Sequence, residues 1–179
     1  MPHARNQPDG VSWTIHPGPL GPLTLVSGPR GLRELRFADR GAPLHESRRD
    51  PDALAPIAAQ LDEYFAGDRR RFELALDLVG TEFQLAVWRQ LIEIPYGTTA
   101  SYGEVARAIG RIERVRAVGA ANGRNPVAII VPCHRVIGAD GSLTGYGGGL
   151  HRKRALLDLE AAIAGDQRSL LTASQLLLT

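Results

Sequence analysis

The chain has 179 residues, 44% of them hydrophobic and 22% charged, with a net charge of only +2. That is enough for one domain of ordinary size or two small ones with a buried core, and it excludes a protein that binds polyanions by charge alone. No apolar run approaches the roughly 20 residues of a membrane span, and the polar start, Met1 to Gly10, has no apolar signal-peptide core.

Residues 1–10 read as a loose arm. Short strand-like runs follow at Val11–His16, Leu23–Ser27 and Leu32–Phe37, joined by turns at Pro17-Gly18-Pro19 and Gly28-Pro29-Arg30-Gly31. Gly41–Pro51 is polar and reads as a loop. Leu54, Ile57, Ala58, Leu61, Tyr64 and Phe65 recur at helical spacing, and Gly67 closes that helix. Phe72–Leu78 alternates like a strand, so the first part of the chain reads as α+β.

After Gly80 the texture changes. Thr81-x-x-Gln84 is a capping box opening an amphipathic helix through Phe83, Val87 and Leu91, and Ile94-Pro95-Tyr96-Gly97 breaks it. Ser101-x-x-Glu104 is a second capping box, opening a short helix that ends near Gly110, and a further helix spans Glu113 to Asn122. Two short helices joined by a tight turn outline a helix-turn-helix, although packed helix pairs share that outline. The second has small residues at Ala117, Gly119, Ala120 and Ala121 beside Arg116, a face suited to close approach, either to a neighbouring helix or to a DNA groove. Arg107, Arg111, Arg114, Arg116 and Arg124 face the single acid Glu113 in this stretch; they and the later run Arg152-Lys153-Arg154 also fit an ordinary solvated surface.

The chemistry concentrates around the only cysteine, Cys133. A single cysteine excludes an intramolecular disulfide and fits a reducing, cytoplasmic compartment, nucleoid-associated in a bacterium. Ile129–Val131 is an apolar run expected to be buried, and Pro132 then fixes the direction of the chain into Cys133-His134-Arg135. A lone cysteine is commonly a small core residue, but one followed by two potentially cationic residues is different, because nearby positive charge favours the reactive thiolate. On an extended segment the side chains of Cys133 and His134 point apart, so a water is expected to carry a proton between them.

The run Pro132-Cys133-His134-Arg135-Val136 resembles the active-site signature of the O6-alkylguanine-DNA alkyltransferase family. The resemblance extends from Gly80 to Glu160 and includes Arg116-Ala117-Val118-Gly119, Asn125-Pro126 and Thr144-Gly145-Tyr146-Gly147-Gly148-Gly149. It implies a small N-terminal α/β, ribonuclease H-like domain (residues 1–79), a C-terminal helical, winged-helix-like domain with a helix-turn-helix (80–165) and a tail (166–179). It further implies direct, irreversible transfer of an alkyl group from guanine O6 in double-stranded DNA to Cys133 by a monomer without cofactor, the base being flipped out from the minor-groove side.

Carried over residue by residue, Cys133 is the nucleophile, His134 takes its proton through a water, and Glu160, near the end of a helix Arg152–Glu160, orients His134. Asn125 ties the helix-turn-helix to the active-site loop, and the Tyr102 hydroxyl reaches guanine N3. Tyr146 lines the alkyl side of the pocket, the amide of Gly147 approaches O6, and the carbonyls of Cys133 and Val136 accept from the exocyclic amine. Arg116 fills the space left by the base, while Ala117, Gly119, Ala120 and Ala121 lie in the groove.

Two positions depart from some members: Ala128 stands in place of a proline, and Gly147 in place of a hydroxyl residue. Some members hold a zinc in the N-terminal domain; with only His3, His16 and His45 there and no cysteine, no metal is expected. The alternative readings are a cysteine hydrolase built on Cys133, His134 and Glu160, a non-catalytic sensor of alkylated DNA, and a helix-turn-helix transcriptional regulator.

Overall fold

The structure, a computed structural model, describes residues 10–40 and 48–176, without the side chains of Arg40 and residues 166–176. The arm up to residue 9, most of the Gly41–Pro51 loop, His3, His45 and the end of the tail lie outside the described residues.

Three strands, β1 (Ser12–His16), β2 (Leu23–Gly28) and β3 (Gly31–Phe37), form antiparallel hairpins, Ser12 pairing with Ser27 and Leu23 with Phe37. A two-residue strand, β4 (Arg48–Arg49), runs parallel to β1 and completes a sheet of order β3-β2-β1-β4. Helix α1 (Pro51–Ala66) is capped by Asp50, whose side chain accepts from the amide of Ala53, and ends at Gly67 in the left-handed conformation. Its buried stripe Leu54, Ile57, Leu61 and Tyr64 joins Leu23, Leu25 and Leu35 in the core.

The expected strand at Phe72–Leu78 is instead an extended segment with one parallel bridge, Leu32 to Leu76. Its alternation is real, since Phe72, Leu74 and Leu76 are half-buried while Glu73 and Ala75 are exposed. A longer ladder does not form because the outer edge of β3 is shared. Leu32 donates to the Ala75 carbonyl and accepts from the Asp77 amide (2.9 Å each), whereas Leu35 donates to the Pro126 carbonyl (2.9 Å) and accepts from the Ala128 amide (2.8 Å). The first half of the chain thus binds the segment that leads to the cysteine.

Both capping boxes form, at Thr81/Gln84 before α2 (Glu82–Ile92) and at Ser101/Glu104 before α3 (Tyr102–Ala108). The helix expected from Glu113 is split into a 3-10 turn, Ile112–Arg114, and α4 (Val115–Gly123), which starts without a side-chain cap. Trp88 of α2 donates its indole N–H to the Ala121 carbonyl of α4 at 2.9 Å. A short parallel pair, β5 (Ala100–Ser101) with β6 (Val136–Ile137), sets the cysteine turn beside the start of α3. The last helix, α5, runs from Leu150 to Leu176, well past the expected Arg152–Glu160. No helix among the described residues is long and apolar enough to cross a membrane.

Candidate active site

The chain leaves α4, is pinned to β3 at Val127, and turns through Ala128–Ile130. Ile129, a β-branched residue 1% exposed, has φ 70°, a left-handed conformation costing roughly 1–3 kcal/mol that persists only where its surroundings dictate it. Here the bond from the Val131 amide to the Val127 carbonyl (3.0 Å) closes the loop around it. Cys133–Arg135 is then a single 3-10 turn, not the expected extended segment, and all three side chains are buried.

Behind the cysteine stands Glu160, within the body of α5 rather than near its end. Its Oε1 accepts from the Tyr64 hydroxyl (2.8 Å) and Arg135 Nη2 (2.9 Å) and bonds His134 Nε2 (2.8 Å); its Oε2 accepts from Arg135 Nε (2.9 Å) and the Gly97 amide (3.1 Å). Burial alone would raise this carboxyl, but the hydrogen bonds from His134 and Arg135 outweigh it and hold the group at about 2. His134 is fully buried, and desolvation lowers its proton affinity although Glu160 pulls the other way. Its Nδ1 makes no hydrogen bond to a protein group.

Cys133 is buried, and desolvation pushes its thiol up to about 11. The groups that oppose this are, first, Asn125, whose Nδ2 lies 3.0 Å from Sγ, and then the charge of Lys153. The two neighbours in sequence are not the source of positive charge at the sulfur. Arg135 is turned onto Glu160 and the Ile94 carbonyl, and His134 is held low. Lys153 supplies it instead, fully buried with Nζ at 2.6 Å from the Val136 carbonyl and 2.7 Å from that of Thr144. Within the basic run, Arg154 is exposed as a solvated face requires, but Lys153 is buried and Arg152 ties down the Leu20 and Gly148 carbonyls and Asp39. Spacing could have exposed this, for Lys153, Leu156 and Glu160 share one face of α5, and all are buried.

A small pocket opens onto Cys133. It is lined by Asn125, Ala128, Tyr146 and Gly147 and, from the first half of the chain, by Arg36 and Phe37. His134 and Glu160 lie behind it. Tyr102 and Val136 are not on its lining: the Tyr102 hydroxyl donates to the Thr144 carbonyl at 3.1 Å, and the Val136 carbonyl accepts from Lys153. The Cys133 carbonyl accepts from the Val136 amide and, at 3.4 Å, from Asn122, a buried residue that sequence reasoning did not single out.

On α4, Arg116, Ala117 and Ala120 are exposed, and Gly119 is half-buried, with room for a Cβ only 3.8 Å from the Tyr102 ring. Ala121 does not share this face; it is 2% exposed and packs inward toward α2. Arg107, Arg111, Arg114 and Arg124 are all exposed. Among the described residues no cluster of His, Cys, Asp and Glu is placed to hold a metal, and His16 bonds Asp62 at 2.7 Å.

Comparison with known proteins gives two family models. One, described as 6-O-methylguanine DNA methyltransferase, ribonuclease-like domain, matches residues 11–78; the other, its DNA binding domain, matches residues 82–162. The methylated-DNA–protein-cysteine methyltransferase of Mycobacterium tuberculosis H37Rv is 54% identical over 151 residues, 82% of this chain and 90% of that protein. That of Methanosarcina acetivorans is 45% identical over 153 residues, 84% of this chain and 98% of the relative. The crystal structure of Mycobacterium tuberculosis OGT in complex with DNA matches with a TM-score of 0.80 at 52% identity, over 85% of this chain and 94% of that one.

Proposed function

The chain belongs to the 6-O-methylguanine DNA methyltransferase family, whose DNA-repair reaction moves an alkyl group from DNA to a protein cysteine, and we propose that here Cys133 is the acceptor and guanine O6 the donor. The observation that carries this assignment is the position of the only cysteine: at the wall of a pocket, with an amide donor on its sulfur and the His134–Glu160 pair behind it.

A thiol held at about 11 leaves roughly one molecule in ten thousand ionised at neutral pH. The proton must therefore leave as the reaction proceeds. His134 takes it on Nδ1, the ring nitrogen with no protein partner, while Glu160 stabilises the imidazolium through Nε2. The sulfur lone pair attacks the alkyl carbon, a C–S bond forms, and the C–O6 electron pair leaves with the guanine, which takes up a proton. Tyr102 is the assigned donor, which requires its hydroxyl to leave the Thr144 carbonyl and turn toward the base. The product is a thioether, which has no route to hydrolysis, so each molecule acts once.

The target atom lies within a base stack, so the nucleotide must be flipped into the pocket between Cys133 and the Tyr146–Gly147 loop. Exposed Arg116, beside Ala117 and Ala120, fills the vacated space from the minor groove, and the surrounding arginines contact phosphates. We assign the protein to the cytoplasm as a monomer acting on double-stranded DNA without a cofactor. Incubation with a duplex bearing a radiolabelled O6-methylguanine tests the proposal. Label should move to the wild-type protein and not to the Cys133→Ser variant. Label released as a small molecule with repeated turnover would favour a hydrolase, and binding without transfer a sensor.

A further inference from the structure

Tyr64 lies in the first half of the chain, on α1, yet its hydroxyl donates at 2.8 Å to Oε1 of Glu160, the oxygen that also bonds His134 Nε2. Tyr64 is 0% exposed and its ring is fixed by Phe65, Phe72 and Tyr96, with centroids 5.4–6.0 Å away. The hydroxyl is therefore held on the carboxylate by packing and not by chance. We infer that Tyr64 is a positioning residue for alkyl transfer, sharing Glu160 with His134 and so setting how strongly His134 holds a proton. The inference rests on the assignment of His134 as the base.

The direction follows from competition for one oxygen. A carboxylate that gives electron density to the tyrosine hydroxyl gives less to the imidazole, so the imidazolium is less stabilised than it would be beside an otherwise free carboxylate. The remaining charged and titratable groups around the pair are Arg135 on Glu160, Tyr96 and Arg70 stacked beyond it, and Lys153 on the far side toward Cys133. Among these, none besides Arg135 hydrogen-bonds Glu160, and the buried Tyr96 hydroxyl has no hydrogen-bond partner. Burial and the Glu160 charge both hold the Tyr64 hydroxyl protonated well above the usual tyrosine range, so it remains a donor throughout the working pH.

The test is the pH dependence of single-turnover methyl transfer from an O6-methylguanine duplex, together with the His134 ring titration read by NMR and assigned with His134→Gln. Tyr64→Phe retains the ring and removes only the donor; the acid limb and the His134 midpoint should both move up by about one unit. A fluorinated tyrosine placed at position 64 keeps the hydroxyl as a stronger donor and should move both down. Opposite shifts from two variants that each keep the aromatic packing are not expected of a purely structural residue. Midpoints that coincide with wild type in the fluorinated protein would overturn the inference, whether or not the phenylalanine variant folds. If the acid limb of the wild-type rate does not follow the His134 titration at all, it is the assignment of His134 as base that fails.

Discussion

The Nδ2 amide of Asn125 reaches Cys133 Sγ at 3.0 Å while it also donates to the Val131 carbonyl at 2.7 Å. One side chain thus holds the loop and stabilises negative charge on the sulfur, and its Oδ1 takes the Val127 amide at 3.0 Å. Asn125→Ala should slow transfer by about ten- to a hundredfold, the worth of a hydrogen bond to a charged group. It should also raise the pH midpoint for iodoacetamide labelling of Cys133. Rates within twofold of wild type would show that the amide matters only for the loop.

Lys153 is the buried cation whose charge acts on the sulfur, and its ammonium joins the Val136 and Thr144 carbonyls. Lys153→Met fills similar space without charge or donors. Transfer should fall about tenfold or more, and proteolysis within residues 144–149 should quicken. A variant that labels at the wild-type pH midpoint would remove Lys153 from the electrostatics of the thiol.

Acid should unfold the protein in two stages. His134 is held below its ordinary 6.5 by burial, and Glu160 at about 2 against its ordinary 4.5 by its donors. For both, the unfolded chain binds more protons, so each contribution is present above the unfolded value and lost as pH falls through the folded one. Thermal melts should therefore drop first below about pH 6.5 and again below about pH 4.5, the second step totalling roughly 3 kcal/mol. Glu160→Ala should cost about 3–5 kcal/mol at neutral pH by leaving Arg135 buried and unpaired. A melting temperature independent of pH from 7 to 4 would contradict this.

Arg116 is exposed, so Arg116→Ala should leave stability within about 0.5 kcal/mol. Transfer from duplex DNA should fall sharply, while reaction with free O6-benzylguanine, a base that needs no flipping, should stay unchanged. Equal losses on both substrates would place Arg116 in the chemistry instead of in base extrusion.

Local signals were legible in the sequence, and distant partnerships were not. Thr81/Gln84 and Ser101/Glu104 announce their helices because a capping box is written within four residues, and Gly67 marks a helix end for the same reason. The two-residue strands β4, β5 and β6 carry no periodicity to read. The segment Phe72–Leu78 has a strand's alternation but shares its edge of β3 with Pro126 and Ala128, which no local pattern reveals. The sequence adjacency of Cys133, His134 and Arg135 suggested a shared electrostatic role. In three dimensions the 3-10 turn sends Arg135 to Glu160, and the charge near sulfur arrives from α5. Tyr64 meets Glu160 across 96 positions of chain, a contact that only the packing of α1 against α5 creates.

The central claim is that this chain consumes itself at Cys133. Intact and peptide mass spectrometry, after incubation with an oligonucleotide containing a single O6-methylguanine, tests it most directly. The account predicts one added methyl per molecule, confined to the Cys133 peptide and matched by restored guanine. A protein mass that does not change while the lesion disappears, or a methyl found on any other residue, would contradict it.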